Sequence, residues 1–437
     1  MSFQALRGTS DLLASDVATW SAVERALRRL AAVYGYREIR TPIIEDAALF
    51  LRSVGETSDI VQKEMFRFED RGGHQIVLRP EGTAAIVRAY LEHSLHKTQG
   101  FTKLFYLGPM FRAERPQAGR FRQFHQYGVE ALGSASPWVD VEVITLAYEL
   151  AKANGVAATA WIASMGCRAD QERSAEALRK TLAPHHTKLC TDCQARFEKN
   201  IFRVLDCKKP EDQKIIASVQ TGSPFLLCDD CAKHFDQVRE GLRQAGVPFT
   251  DTAAFARGLD YYTRTVFELR APGLGAQDAL AAGGRYDHLI EDFGGPPMGA
   301  AGFAGGLERL LIAALHAATP PAPPTTGHAG GVAPVRRGVY LATAKPDLLP
   351  KAFQMVAALR RQGVEATLDY DAGSLRAQMR EADKLGCRYV AILGDQELAK
   401  GELTVKDLAQ GGAQESIALD RVTEEFANRL KPKHACR

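Results

Sequence analysis

The sequence predicts an α/β (α+β) chain in two parts: antiparallel strands interrupted by a helical insertion, then a small α/β domain behind a linker. Three observations predict it. Strand-period alternation recurs around residues 105–115 and 122–130, with arginines and glutamates gathered on one face. From residue 167 to 250 the texture becomes polar, helical and locally basic, as an inserted module would be. Residues 317–335 are rich in proline, alanine, glycine and threonine, the composition of a linker, and strand and helix patterns alternate beyond them.

At 437 residues the chain is long enough for two or three cores, and its 46% hydrophobic and 24% charged content is that of an ordinary globular protein. No apolar run reaches membrane-spanning length, so no membrane partner is expected. Residues 1–16 carry acidic groups and lack a basic start followed by an apolar stretch, so no secretory signal is expected and the cytoplasm is the expected compartment. A net charge of +3 is too small to argue for nucleic acid unless the basic surface is local. Eight cysteines are too few for a disulfide-built scaffold.

Taken in order, residues 16–34 have helical spacing, with Val17, Trp20, Val23, Leu27, Leu30 and Tyr34 near one face and Gly35 as the stop. Residues 36–44 read as a strand edged by Pro42. Two strands, 64–68 and 75–78, flank the turn 70–73. Leu78-Arg-Pro-Glu81-Gly82-Thr83 leads into a helix over 84–93 with Thr83 as its N-cap. Glu81, where strand gives way to helix, suits a ligand contact and a helix-capping carboxylate equally well.

In the run Phe105-Tyr-Leu-Gly-Pro-Met-Phe-Arg112-Ala-Glu114-Arg115 a strand meets an alternating Arg112/Glu114 pair. After an arginine-rich loop the returning strand places Gln126, Gly128 and Glu130 on one face and His125, Tyr127 and Val129 on the other. An arginine–glutamate face without lysine, beside a glycine that leaves room, fits a ligand site better than a solvated sheet surface. A helix over 139–154 and a strand over 159–165 precede the insertion.

Residues 257–268 form a loop feeding a strand, with Tyr261 and Tyr262 expected on opposite sides near its start. Arg257, a phenol and a glycine together suit a pocket for a small anionic or polar substrate, although an ordinary strand would read the same way. Gly283 and Gly284 let backbone approach a bound group. Residues 298–311 form a glycine-rich strand running into a helix, whose first-turn Arg309 can clamp a phosphate, although tight helix–strand packing explains the glycines nearly as well. Beyond the linker, strands are predicted at 338–343, 365–370, 389–393, 403–408 and 416–420. Helices are predicted at 347–362, 374–385 (N-cap Ser374) and 422–430.

Cys190-Thr-Asp-Cys193 and Cys228-Asp-Asp-Cys231 have the knuckle spacing of one tetrahedral zinc site that a folded insertion would close; four reduced, unpaired cysteines are the alternative. Cys207 lies between the pairs.

Together these runs resemble class II aminoacyl-tRNA synthetases, and within them the histidyl-tRNA synthetase family, over nearly the whole chain from Arg7-Gly-Thr-Ser-Asp11 to the C-terminal domain. The unit ending at Pro42 resembles the first class II motif, Phe111–Glu114 with the return strand to Glu130 the second, and Gly302–Arg309 the third. The stretches 257–268 and 281–286 are similar to two signatures particular to the histidine enzymes. The resemblance implies an antiparallel-sheet catalytic domain over 1–325 interrupted by the insertion at 168–250, and an anticodon-binding α/β domain over 336–437. It implies a homodimer that activates L-histidine with ATP and Mg2+, then passes it to the 3′ end of tRNA(His).

The same resemblance assigns residues. Arg112 and Arg257 become catalytic, flanking the α-phosphate, and Arg112, Glu114 and Arg309 bind ATP. Glu81, Gly82, Thr83, Arg112, Gln126, Glu130, Arg257, Tyr261 and Tyr262 surround histidine, with Glu130 and Tyr262 on the two imidazole nitrogens. Arg115, Gln117 and Arg120 meet the tRNA acceptor end. A catalytically dead relative serving a phosphoribosyltransferase is a competing reading, but such relatives lose the anticodon domain and signature residues. A pure RNA-binding protein leaves the pocket residues unexplained.

Overall fold

The computed structural model describes residues 3–55, 58, 60–114, 120–207, 209–219, 224–252, 261–272, 274, 278–316, 336–409 and 414–430. The expected linker, Arg257, Arg115 and Gln117 lie outside the described residues. The chain divides into two compact units: Met1–Val23, Glu38–Arg243 and Val247–Pro321 in one, and Glu24–Arg37, Gln244–Gly246 and Ala322–Arg437 in the other.

Among the described residues eleven strands precede residue 307, the last ten of them wholly in the first unit: β1 (Arg37–Glu38), β2 (Ile44–Asp46), β3 (Phe66–Glu69), β4 (Gln75–Leu78), β5 (Thr102–Phe111), β6 (Gln123–Leu132), β7 (Thr159–Ser164), β8 (Phe249–Asp251), β9 (Thr263–Arg270), β10 (Ala279–Arg285) and β11 (Ala300–Gly306). Eight of them form one sheet in the order β1-β5-β6-β11-β10-β9-β7-β8, and β2-β4-β3 form a second. From β5 to β7 every neighbour is antiparallel; β8 joins β7 in parallel. The strand expected over 36–44 splits into β1 and β2. Pro42 has no N–H for a ladder, although Ile39 N still donates to Phe105 O at 2.8 Å.

A helix over Pro137–Ala153 packs on this sheet with Val139, Val143, Leu146 and Leu150 buried. Ser136 caps it, its hydroxyl accepting from Trp138 N at 3.4 Å, and Pro137 supplies a helix-ready φ at the first position. Two carboxylates of this helix are buried, and each meets a cation from the sheet. Asp140 is paired with Arg285 of β10 at 2.7 Å, and Glu142 with Lys103 of β5 at 2.6 Å. Such pairing is what makes buried charge tolerable. The helix expected over 16–34 runs over Ala14–Val33, with Gly35 at φ +82° ending it.

The stretch expected as an insertion carries helices over Arg168–Leu182, Thr191–Lys199, Pro210–Val219 and Asp229–Ala245, with 3-10 turns over Ala183–Lys188 and Ile201–Asp206 between the first three. Its apolar cluster is small and includes Cys193 and Cys207 beside Leu182, Ile201 and Val204.

The second unit carries a five-stranded sheet of β12 (Arg337–Thr343), β13 (Ala366–Leu368), β14 (Cys387–Leu393), β15 (Glu402–Asp407) and β16 (Gln414–Ala418) in the order β13-β12-β14-β15-β16. β12 runs parallel to β13 and β14, and the last two strands are antiparallel. Ser374 caps the helix Leu375–Lys384 as expected, accepting from Ala377 N at 3.3 Å. Buried Gln378 then pins that helix to β12 by bonding Thr343 N at 2.9 Å and Thr343 O at 2.8 Å. Among the described residues no helix is long and apolar enough to cross a membrane.

Candidate active site

β5 and β6 pair Phe111 with Gln123 and Leu104 with Glu130, and β6 and β11 pair Glu130 with Gly302 and Gln126 with Gly306. Period-two alternation therefore sends Gln126 and Glu130 to the face where β11 presents only glycine or alanine, opening a cavity of about 960 Å³. Glu81, Thr83, Arg112, Glu114, Arg120, Gln126, Tyr261, Tyr262 and Arg309 all line it. Residues from strand mouths, a helix start and a loop, far apart in sequence, thus share one space.

Thr83 is the first residue of the helix Thr83–Glu92, and the residue preceding it is Gly82, so the expected Thr83 N-cap is corrected. Glu81 does the capping instead, accepting from Thr83 N at 2.7 Å and Ala84 N at 2.9 Å. The Thr83 hydroxyl is thereby freed to donate to Glu130 Oε1 at 2.7 Å. Gly82 faces the cavity only indirectly, its N–H donating to Gln126 Oε1 at 3.1 Å. A Cβ at Gly82 would stand 2.4 Å from the Tyr106 ring, so the close approach requires glycine.

Glu130 has 0% exposure and does not itself line the cavity; it stands behind Thr83, Tyr286 and Gly302, which do. Thr83 donates to one of its oxygens and Tyr286 to the other. Burial pushes the Glu130 carboxyl up to about 8, against the pull of the Tyr286 and Thr83 hydrogen bonds. Burial also raises Glu81, opposed by the backbone N–H groups of Ala84 and Thr83. Tyr286 carried no expected role in the sequence; only its place after the glycine pair at 283–284 could have drawn attention to it.

The expectation that Tyr261 and Tyr262 point to opposite sides is also corrected. β9 begins at Thr263, so strand alternation does not govern them, and both line the cavity with ring centroids 4.9 Å apart. Tyr261 also meets the Tyr286 ring edge-on at 5.6 Å.

At the other end, Arg112 Nε donates to Pro80 O at 3.0 Å and its guanidinium lies 5.4 Å from the Phe124 ring centroid. Arg120 donates to Glu114 Oε2 at 2.6 Å, and Arg112 stands 3.8 Å from the other Glu114 oxygen. Arg309 is fixed by a 3.0 Å bond from Nε to Ala279 O. Burial, together with nearby Arg120, lowers its pKa below the ordinary arginine value, though its basicity leaves it cationic. Beside it Glu308 accepts from His125 N at 2.8 Å, tying the helix start to β6. The geometry is a cationic end holding Arg112, Arg120 and Arg309, and an aromatic end closed by three tyrosines and a buried carboxylate. An anion with a small polar ring fits that polarity.

The four expected zinc ligands do not form one set. Cys190 and Cys193 group with Cys207 and Asp212, while Cys228 and Cys231 group with Cys167 and Asp170. Folding of the insertion closes each C-x-x-C turn on a different partner pair.

A family model described as histidyl-tRNA synthetase matches residues 8–310, and one described as an anticodon binding domain matches residues 332–429. The histidine–tRNA ligase of Desulforamulus reducens is 45% identical over 416 residues, 94% of this chain and 96% of the relative. The crystal structure of apo histidyl-tRNA synthetase from S. aureus superposes with a TM-score of 0.60 at 34% identity, covering 98% of this chain and all of the other. A Bacillus halodurans structure titled as an ATP phosphoribosyltransferase regulatory subunit/histidyl-tRNA synthetase shares the fold alone, at 22% identity and a TM-score of 0.53 over 90% of this chain and 99% of the other. With one family model spanning most of the chain and the anticodon model matching the second unit, the chain belongs to the histidyl-tRNA synthetase family of class II aminoacyl-tRNA synthetases.

Proposed function

We infer that the cavity binds L-histidine and ATP side by side and that its two ends carry the two halves of one reaction. Family membership makes the overall activity ATP-dependent ligation of histidine to tRNA. The histidine carboxylate attacks the α-phosphate of ATP, forming the adenylate and releasing pyrophosphate. The terminal ribose hydroxyl of tRNA then attacks the activated carbonyl and AMP leaves. Nothing in the first step needs a protein nucleophile, so the protein's work is to hold two anions together and to stabilise the charge between them.

The observation that carries this reading is the polarity of the cavity, arginines at one end and the Glu130–Thr83–Tyr286 network at the other. Arg112 would grip the α-phosphate, Arg309 the γ-phosphate, and Glu114 the adenine side once Arg120 releases it. Glu81, Thr83 and Gln126 would surround the amino and carboxylate groups of histidine. Tyr262 and the Glu130 network would read the two imidazole nitrogens, one donor and one acceptor in the neutral ring. Arg257 would complete the phosphate clamp, and Arg115, Gln117 and Arg120 would meet the tRNA acceptor end; their motif positions support this. The carboxylates of Glu268, Asp278 and Glu308 line the same cavity and supply the oxygen chemistry that Mg2+ on nucleotide phosphates takes. Bound Mg2+ would neutralise phosphate charge. The working form is a cytoplasmic homodimer acting on tRNA(His).

Histidine-dependent exchange of pyrophosphate into ATP tests the reading. Exchange with histidine and none with other amino acids is expected, and equal exchange with several amino acids would overturn it. Arg257→Ala should lower the single-turnover rate of adenylate formation at least about a hundredfold, with ATP affinity changed less than about threefold. An unchanged rate removes its catalytic role.

A further inference from the structure

The insertion has a weak core for its size: its helices are polar, and two of the buried members of its apolar cluster are cysteines. A module of this kind needs a staple. Six of its cysteines and two buried aspartates are gathered into two clusters, and in each the four ligand atoms all lie within 4.8 Å of one another.

We propose that the insertion holds two structural zinc ions, one bound by Cys190, Cys193, Cys207 and Asp212 and the other by Cys167, Cys228, Cys231 and Asp170.

The spacing fits the metal. Thiolates at a zinc–sulfur distance of about 2.3 Å on a tetrahedron stand about 3.8 Å apart. Cys190 Sγ and Cys207 Sγ are 4.0 Å apart, and Cys207 Sγ is 3.2 Å from Asp212 Oδ2. The sulfur–sulfur separation is too long for a disulfide, and both leave room for an ion between the atoms.

The local backbone is also arranged for thiolates. Cys190 and Cys193 occupy the N-cap and third positions of Thr191–Lys199, and Cys167 and Asp170 the same positions of Arg168–Leu182. Cys228 and Cys231 repeat that turn at the start of Asp229–Ala245. A helix N-terminus lowers the cost of a negative sulfur, so three such turns pointed into two clusters favour the metal-bound form.

Each carboxylate is held in place by the turn it faces. Asp212 accepts from Cys190 N at 3.1 Å, and Asp170 accepts from Cys228 N at 3.1 Å and Cys167 N at 3.2 Å. Arg173 holds Asp170 as well, at 2.5 Å. Such orienting bonds are the usual support of a metal ligand. Three thiolates with one carboxylate, and no open face needed for chemistry, select zinc over hard cations. Neither ion has a part in catalysis. Cys190 and Cys207 also line the cavity wall beside Arg196 and Arg203, so the first ion would brace that wall.

Metal analysis of the purified full-length protein by plasma mass spectrometry tests this directly. About two zinc per chain are expected. Cys190→Ser/Cys207→Ser should lose one and keep the other, and Cys228→Ser/Cys231→Ser the reverse. Should the variants not fold, release from the unaltered protein by a thiol-directed mercurial, followed with a zinc indicator, gives the same count. Cobalt grown into the sites should show the intense visible bands of tetrahedral thiolate coordination. Zinc well below one per chain would overturn the proposal. So would a single ion lost equally from both double variants, because that result requires one shared site.

Discussion

Glu130 shows how one side chain acquires its chemistry from its surroundings. The same carboxylate on an open strand would be an ordinary surface acid. Enclosed among Thr83, Tyr286 and the glycine backbone of β11, it titrates near 8 in the fold, against 4.5 for the free group. Where a Cβ on Gly302 would sit, Glu130 Oε2 is only 2.0 Å away, so glycine there is a requirement of the carboxylate. Because the folded group holds its proton more tightly than the unfolded one, its linked stability is complete below about pH 4.5. That stability is lost as pH rises through about 8. Glu130→Gln cannot ionise, so its melting temperature should fall less than that of the unaltered protein between about pH 5 and pH 8. Parallel melting curves across that range would show that the fold does not raise the Glu130 pKa. The same substitution should raise the KM for histidine by about tenfold or more in pyrophosphate exchange, since it alters the donor–acceptor pattern of the network.

The helix Pro137–Ala153 and strand β10 are locked by charge rather than by apolar packing alone. Arg285 has 0% exposure, and its guanidinium bonds Asp140, Asp287, Ser134 O and Ser136 O. Asp140 in turn accepts from Thr265 at 2.7 Å and contacts His234 at 2.6 Å. Burial alone would raise the Asp140 carboxyl, but Arg285 and His234 outweigh it and hold the group down at about 2. One aspartate thereby connects a core helix, strands β9 and β10 and the last helix of the insertion. Arg285→Ala should cost about 3–5 kcal/mol in urea denaturation, because it strands a buried carboxylate. A loss under about 1 kcal/mol would mean that water or His234 replaces the guanidinium. In sequence Arg285 stood inside the 281–286 stretch with no role of its own; the fold gives it four protein partners.

Across the whole chain, a net charge of +3 is modest for a protein that must bind a polyanion. Attraction for tRNA therefore has to come from local clusters such as the arginines around the cavity. Binding to tRNA should weaken by about tenfold or more between about 50 and 200 mM salt, as counterion release requires. Histidine-dependent exchange, which involves no polynucleotide, should change less than about twofold over that range. A salt-independent tRNA affinity would place recognition in neutral contacts.

What could be read without coordinates was the local pattern. Helix and strand periods, the Ser374 cap, the β3–β4 hairpin and the facing of Gln126 and Glu130 all follow from hydrogen bonding and alternation within about ten residues. The motif order carried the family with it. Contacts across long separations were not legible: Glu130 is reached by Thr83 over 47 positions and by Tyr286 over 156. Which C-x-x-C turn meets which aspartate, whether both tyrosines enter the cavity, and which groups surround Arg285 depend on sheet order and on how the insertion closes. Those are outcomes of packing the entire unit, because burial and partner choice are set by everything that surrounds a side chain and not by its neighbours along the chain.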